Sequence, residues 1–211
     1  MKEEQKSRRI SSMSTTQPIR DKEELKNFME YYRKTAPNPR NYAMVVLGLH
    51  TALRIGDVLR LTWNMVYDFE NQEFRRHLCL FEKKTGKKNT IALNMHVVEA
   101  LRGLAQKRRP QPADYLFTRS TSVKTPLSRS QAFRIVKRAA AASVHSGNIS
   151  CHSLRKTFGY YAWKQGTPPA LLMDIYNHSS YAVTKKYLGI NQDERDSIFM
   201  EMNFMGMNFI E

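Results

Sequence analysis

The chain has 211 residues, 41% hydrophobic and 25% charged, a composition that suits one globular domain with a buried core. Its formal net charge is +15, and the segment 17–190, with 29 basic and 12 acidic side chains, alone carries +17, which favours a polyanion as partner. No apolar run reaches the length of a membrane-spanning helix and no signal-peptide pattern opens the chain, so we expect a cytoplasmic protein. Two cysteines, Cys79 and Cys151, form no CxxC pair, which favours a reducing compartment.

The predicted elements follow a polar segment, 1–16, that we expect to be disordered. Helices are predicted over 21–34, 42–53, 55–61, 95–108, 128–145, 152–164, 168–176 and 180–187. Asp21 and Ser128 are suitable N-caps for two of them. Short strands are predicted over 66–69, 77–81 and 90–93. The fold class is therefore mainly α with a small three-stranded antiparallel β-sheet.

Two motifs lie in the first half of this domain. The segment ALRIGDVLRL places Arg54 between two helices, and Asp57, three residues on, can supply the partner that a buried arginine needs. By itself this pair is also explained as a structural salt bridge. The hairpin tip Lys83-Lys84-Thr85-Gly86-Lys87-Lys88 can bring a lysine into a groove to contact a phosphate or donate a proton, although an isolated tip of this kind is more commonly a solvated turn.

Two further motifs lie near the end of the chain. His152 and Arg155 have the i,i+3 spacing that places two side chains on one helix face, a weak motif when it stands alone. Tyr187 follows His178 by nine residues in a predicted helix, where a single tyrosine usually packs against its neighbours. A zinc site built from Cys151, His152 and His178 is an alternative whose spacing matches no common pattern.

Taken together and in order, these motifs resemble the signature of the tyrosine recombinases, the phage integrase family. ALRIGDVLRL resembles the family's box around its first arginine, HSLRKTF its HxLRHTF segment, and NHSSYAVTKKYL its GHSS…T..YL segment. The resemblance covers roughly residues 20–190. It has two departures: Lys156 stands where the family often has His, and Tyr176-Asn177 replaces Leu-Gly before His178.

The resemblance implies the catalytic-domain fold of tyrosine recombinases, the DNA breaking-rejoining enzyme type, over 17–190. It also implies a site-specific recombinase or integrase that cuts and rejoins double-stranded DNA through a 3′-phosphotyrosyl intermediate, with neither metal nor other cofactor. The roles it implies are Tyr187 as nucleophile, Arg54 and Arg155 as phosphate clamp, Lys84 (with Lys83 and Lys87 as alternatives) as proton donor to the leaving oxygen, His152 as general acid/base, His178 as a contact of phosphate and tyrosine, and Asp57 as the partner of Arg54.

Family members usually also carry an N-terminal core-binding domain. Nothing before Asp21 could form it, so we expect either a fragment of a longer enzyme or a naturally short type, as the fimbrial phase-variation invertases are. The apolar tail 191–211 is suited to docking on a neighbouring protomer or on its own domain. We expect a monomer without DNA and a homotetramer on paired DNA sites. The lysines expected to contact DNA are Lys83, Lys87, Lys88, Lys156, Lys185 and Lys186.

Two other functions remain open at this point. A type IB topoisomerase uses the same chemistry to relax DNA without site preference, although its sequences are usually longer. A non-catalytic DNA-binding regulator could be built on the same scaffold. Neither alternative explains an intact set of catalytic positions as well as a recombinase of bacterial or phage origin does.

Overall fold

The computed structural model describes residues 16–119, 122–145, 147–188, 196 and 199–202. Except for Thr16, the polar segment 1–16 lies outside the described residues, and so does most of the tail 191–211. None of the described helices is long and apolar enough to cross a membrane. The α-helices are α1 (Lys22–Glu30), α2 (Pro39–Thr51), α3 (Ile55–Val58), α4 (Met95–Arg108), α5 (Arg129–Ser143), α6 (Cys151–Lys164), α7 (Pro169–Ile175) and α8 (Tyr181–Leu188). A π-helical turn, Tyr31–Thr35, continues α1, and a 3-10 turn forms at Trp63–Met65.

Helix α2 is the central element of the core and packs against α4 and α6. It begins earlier than predicted because Asn38 caps it, accepting the backbone N–H of Asn41 at 3.0 Å, and Pro39 is tolerated in a first turn that lacks intrahelical N–H partners. The helix ends at Thr51, and its C-cap residue Ala52 has a left-handed φ of 55°. The chain therefore turns sharply there and leads Arg54 to the edge of the core.

Helices α1, α5 and α6 also begin at side-chain N-caps. Asp21 and Ser128 cap α1 and α5 as predicted, and Ser128 forms a capping box with Gln131. Helix α6 has a capping box of its own, in which Ser150 and Ser153 exchange hydrogen bonds with each other's backbone N–H. This cap fixes the first turn of α6, the turn that carries the HxxR motif.

The strands form three separate two-stranded hairpins among the described residues, so the predicted three-stranded sheet is wrong in its pairing, although the fold class is confirmed. Strand β3 pairs with β4 as predicted, in a register running from His77↔Ala92 to Phe81↔Lys88. The strands are β1 (Tyr67–Asp68), β2 (Glu73–Phe74), β3 (His77–Phe81), β4 (Lys88–Ala92), β5 (Thr118–Arg119) and β6 (Ser122–Pro126).

The turn after β1 explains the error. Asp68 accepts the backbone N–H groups of Glu70 and Asn71, and Gln72 adopts a left-handed φ of 56°. The chain therefore reverses at once, and β1 pairs with the two-residue strand β2 instead of with β3.

Residues 16–20 lie along α6. The Ile19 N–H donates to the Thr157 hydroxyl at 2.9 Å, and the Tyr161 hydroxyl donates to the Arg20 carbonyl at 2.7 Å. The Lys156 ammonium donates to the Thr16 carbonyl at 2.6 Å. One face of α6 is thus tied to the segment that enters the domain.

Candidate active site

A cleft of about 660 Å³ brings four of the predicted catalytic residues together. Arg54 reaches it from the α2–α3 junction, Lys84 from the β3–β4 tip, and His152 and Arg155 from the first turns of α6. These residues are far apart in the sequence. Their convergence in one cleft is what the ordered motifs lead one to expect.

Arg54 is paired with Glu82 and not with Asp57, which corrects the prediction. Its Nη1 donates to the Glu82 carboxylate at 2.5 Å. Arg54 is the N-cap of α3 with extended backbone angles, so the i,i+3 geometry of a helix does not carry its side chain towards Asp57. The buried Asp57 carboxylate instead accepts Arg60 Nη2 at 2.8 Å and the Lys83 backbone N–H at 2.9 Å, and it thereby holds the first residue of the hairpin tip.

Sequence reasoning missed Glu82. Its side chain is 1% exposed at the end of β3, and besides Arg54 it accepts the Thr85 hydroxyl and the amides of Asn89 and Asn177. Burial works to raise the pKa of Glu82, but the hydrogen bonds from Asn177 and Asn89, with the charge of Arg54, outweigh it and hold the pKa below its ordinary value. The sequence offered one signal for Glu82: it is the single acidic residue directly before the lysines of the hairpin tip.

Arg155 is almost fully buried, at 1% exposure. Nη1 donates to the Ala52 carbonyl and Nη2 to the Tyr176 carbonyl, the latter at 2.7 Å, while Nε has no hydrogen-bond partner. Burial, followed by the charge of Arg54, lowers the pKa of this guanidinium. Two carbonyls thus fix the Arg155 guanidinium in the wall of the cleft.

Tyr176 supports Arg155 from a second side. Its ring lies 4.5 Å from the guanidinium carbon, and its hydroxyl donates to the Arg155 carbonyl at 2.7 Å. Gly159 makes room for this ring, since a Cβ there would lie 2.0 Å from the Tyr176 oxygen. The leucine that the family usually has at this position could not make this hydrogen bond. Tyr176 therefore departs from the family pattern by adding a contact to Arg155, which is compatible with an intact site.

The Tyr187 ring lies close to His152, His178, Arg155 and Tyr176. Its centroid lies 4.9 Å from that of His152 and 4.6 Å from that of His178, both edge-on. It lies 5.8 Å from the Arg155 guanidinium carbon and 5.2 Å from the Tyr176 ring centroid. Helix α8 therefore places Tyr187 beside His152 and Arg155, the two named residues of the HxxR motif, as the order of the motifs predicts.

Both histidines are neutral at pH 7. Burial, and then the cations Lys156 and Arg155, lower the pKa of His152 to about 4. Burial and then Arg155 lower the pKa of His178 to about 4, and His178 Nδ1 lies 3.0 Å from the Thr184 hydroxyl. A neutral imidazole next to a phenol can accept its proton.

The predicted DNA-contacting lysines differ in position. Lys83 and Lys84 line the cleft, and Lys87, Lys88 and Lys185 are exposed. Lys156 is 6% exposed with its ammonium on the Thr16 carbonyl, which argues against a surface contact with DNA. The side chain of Lys186 lies outside the described part of the chain.

The alternative zinc site is not formed. Within the ranges that the structure describes, no three His, Cys, Asp or Glu side chains are grouped to hold a metal ion, and Cys151, His152 and His178 are no exception. Burial raises the pKa of the Cys151 thiol to about 11. This keeps the thiol protonated and a poor metal ligand at neutral pH.

The model of the phage integrase family matches residues 19–194. This chain belongs to the phage integrase family. A curated member, the probable integrase/recombinase YoeC of Bacillus subtilis (strain 168), is 36% identical over 185 residues, which cover 86% of this chain and 93% of YoeC. The predicted family is confirmed, and so is the prediction of an integrase or recombinase.

Solved structures of integrases and recombinases share the fold. XerA recombinase superposes with a TM-score of 0.70 at 21% identity, over 89% of this chain and 66% of XerA. XerH site-specific recombinase bound to palindromic difH substrate gives 0.71 at 18% identity, over 89% and 54%. A lambda integrase (75–356) dimer bound to a COC′ core site gives 0.64 at 17% identity, over 95% and 64%. The integrase described here thus spans about half to two thirds of these solved chains.

Proposed function

We propose that this integrase cuts and rejoins double-stranded DNA at specific sites through a 3′-phosphotyrosyl intermediate on Tyr187. The observation that carries the proposal is the setting of the Tyr187 ring, which has His152 and His178 edge-on at 4.9 and 4.6 Å and the Arg155 guanidinium at 5.8 Å. A phenol is a weak nucleophile near its ordinary pKa. Neighbouring cations and a neutral imidazole are what it needs to react at neutral pH.

In the proposed cleavage step, the Tyr187 oxygen attacks phosphorus while its proton passes to His152. The bond between phosphorus and the 5′ oxygen breaks, and Lys84 protonates that oxygen as it leaves. Rejoining reverses both proton transfers, with a 5′ hydroxyl as the attacking group. The phosphodiester bond energy is kept in the phosphotyrosine, so ATP is not consumed.

Arg54 and Arg155 stabilise the transition state in this scheme. Negative charge spreads over the equatorial oxygens of the pentavalent phosphorus, and two guanidiniums can bind these oxygens with paired N–H donors. By comparison with oxyanion-hole donors, the loss of either arginine costs about 3–4 kcal/mol of transition-state stabilisation. His178 contributes a further contact to the phosphate and fixes the tyrosine ring.

The partner in this proposal is double-stranded DNA. The protein is a monomer without DNA and forms a homotetramer on paired DNA sites. The net charge of +17 over 17–190 supports a polyanionic partner. Related structures support the choice of DNA: XerH is bound to difH substrate and lambda integrase to a core site.

The experiment has two stages. Fragmented genomic DNA from the source organism is incubated with the protein, the mixture is denatured, and DNA that stays attached to protein is sequenced. A plasmid with two copies of the recovered site is then tested for strand exchange in EDTA without ATP. We expect recombinant products only when both sites are present. Relaxation of plasmids that lack the site would favour a topoisomerase, and the absence of attached DNA would contradict the proposal.

A further inference from the structure

Glu82 connects parts of the site that are remote in sequence. One carboxylate oxygen accepts Arg54 Nη1 at 2.5 Å and the Thr85 hydroxyl at 3.0 Å. The other accepts the side-chain amides of Asn89 and Asn177, each at 3.1 Å. The donors come from the α2–α3 junction, the hairpin tip, strand β4 and the loop between α7 and α8.

We propose that Glu82 and Asn177 form a clasp that positions the Lys84 hairpin and the His178 loop against Arg54 before DNA binds. Glu82 and Asn177 are positioning residues in this proposal, since they act through groups that contact the phosphate. The inference rests on the proposed function. Beyond that function, the inference identifies Glu82 and Asn177 as the residue pair that sets the geometry of the cleft.

The hairpin end of the clasp is closed around Glu82. The Glu82 N–H donates to the Lys87 carbonyl at 3.0 Å, and the Gly86 N–H donates to the Glu82 carbonyl at 2.8 Å. Gly86 has a left-handed φ of 66°, which a glycine adopts without strain. The backbone and side chain of Glu82 together therefore set where the tip carries Lys84.

The other end of the clasp is the residue before His178. Asn177 has a left-handed φ of 51°, a conformation that glycine and asparagine tolerate best. The family's usual glycine satisfies the backbone here but has no side chain. Asn177 keeps the turn and adds an amide that reaches Glu82.

The charge of Glu82 suits a positioning role. The carboxylate is buried and its lowered pKa keeps it ionised, so it accepts all four donors at once. A glutamine of the same shape could accept at one oxygen only. It would leave Arg54 or the amides without a partner, at a cost in site geometry.

The test compares Asn177→Gly, Glu82→Gln and the double variant in single-turnover cleavage of DNA that contains the recovered site. Asn177→Gly removes the amide without straining the turn. Gln72→Gly is the matched control, since Gln72 also has a left-handed φ, of 56°, but lies in the β1–β2 turn. Melting temperature and DNA affinity are measured for each variant to separate positioning from folding and binding.

We expect the saturating cleavage rate to fall about tenfold in Asn177→Gly, as for one hydrogen bond to a charged group. In Glu82→Gln it should fall about a hundredfold, as for misplacement of reacting groups. The double variant should lose less than the product of the two single losses, because Glu82→Gln already removes or weakens the acceptor of the Asn177 amide. DNA affinity in every variant, and both the melting temperature and the cleavage rate of Gln72→Gly, should stay close to those of the unchanged protein. Glu82→Gln should melt at a lower temperature because it leaves a buried group without its partner, so all cleavage rates are compared at a temperature at which every variant is folded.

Hydrogen exchange of the DNA-free protein gives a readout that does not depend on activity. We expect the Gly86 and Lys83 amides to exchange faster in Asn177→Gly than in Gln72→Gly. Unchanged exchange, unchanged cleavage, or multiplicative rate losses in the double variant would each overturn the clasp. Failure of the unchanged protein to attach to DNA would instead contradict the proposed function, and the exchange rates would still decide whether the clasp holds the hairpin.

Discussion

His178 stands edge-on to Tyr187, with 4.6 Å between the ring centroids, and its Nδ1 lies 3.0 Å from the Thr184 hydroxyl on the same helix as the tyrosine. The imidazole therefore makes two contacts with α8, and it also stacks on the Tyr176 ring with 5.0 Å between the centroids. The Arg155 guanidinium carbon lies 5.8 Å from the Tyr187 ring centroid. Burial, and then the charge of Arg155, lowers the pKa of His178. Tyr187, the proposed nucleophile, thus forms one packed unit with His178 and Arg155.

The first prediction concerns pH and stability. The pKa values of His152 and His178 fall from 6.5 to about 4 in the folded chain, so the unfolded chain binds more protons as the pH drops below 6.5. Their contribution to stability is present above pH 6.5 and is lost towards pH 4. The free energy of unfolding, measured by urea denaturation between pH 7.5 and 5, should decrease less steeply in His152→Gln than in the unchanged protein. His77→Gln, at an exposed position on β3, is the control, and equal slopes in both variants would contradict the prediction.

The second prediction separates the proposed proton donor from the phosphate clamp. A DNA substrate whose leaving 5′ oxygen is replaced by sulfur departs as a thiolate and needs no protonation. It should restore cleavage by Lys84→Ala but not by Arg155→Ala, because the arginine stabilises charge on the equatorial oxygens. Cleavage rates on the two substrates are compared for each variant. Equal restoration of both variants, or of neither, would refute this division of roles.

The third prediction concerns the space that Gly159 leaves for Tyr176. Gly159→Ala should destabilise the protein by about 1–3 kcal/mol through overpacking and slow cleavage by displacing the support of Arg155. Gly103→Ala in α4 is the matched change, since no atom lies within 4 Å of an added Cβ; it should stabilise by about 0.5–1 kcal/mol. Adding Tyr176→Leu to Gly159→Ala should restore most of the stability. Urea denaturation measures all three, and a neutral Gly159→Ala would show that the ring moves aside freely.

The fourth prediction concerns the electrostatic part of DNA binding. Log affinity should fall linearly with log salt, at a slope near −0.9 for each phosphate neutralised. Lys185 is an exposed residue of α8, two positions before Tyr187, and Lys185→Ala should reduce the magnitude of the slope by about 0.9, the contribution of one phosphate. Lys26→Ala is the control, because Lys26 lies on α1 and pairs with Glu23. Fluorescence anisotropy titrations at several salt concentrations measure the slopes, and equal slopes for both variants would contradict a phosphate contact at Lys185.

Local signals predicted the elements well. Asp21 and Ser128 cap helices as expected, and α4 occupies 95–108 as predicted, because capping and apolar periodicity act within a few residues. The pairing of β1 was missed because it depends on the conformation of the next turn. The left-handed Gln72 has no strong signal in its residue type.

The site was predictable where function imposes an ordered set of residues. Arg54, Lys84, His152 and Arg155 meet in one cleft, as the motif order predicts. The carboxylate that pairs with Arg54 could not be predicted, because sequence proximity favours Asp57 whereas the non-helical backbone at Arg54 turns its side chain to Glu82. Such long-range partners depend on packing rather than on local pattern.

The central claim is that Tyr187 forms the covalent bond to the 3′ phosphate of the cleaved DNA. The protein is trapped on a nicked substrate of its recovered site, digested with protease and nuclease, and the peptides are analysed by mass spectrometry. We expect a nucleotide joined through its 3′ phosphate to Tyr187, and no adduct from Tyr187→Phe although that variant keeps its fold and DNA affinity. A denaturation-resistant adduct in Tyr187→Phe, or a nucleotide on Tyr176 or Tyr181, would contradict the account.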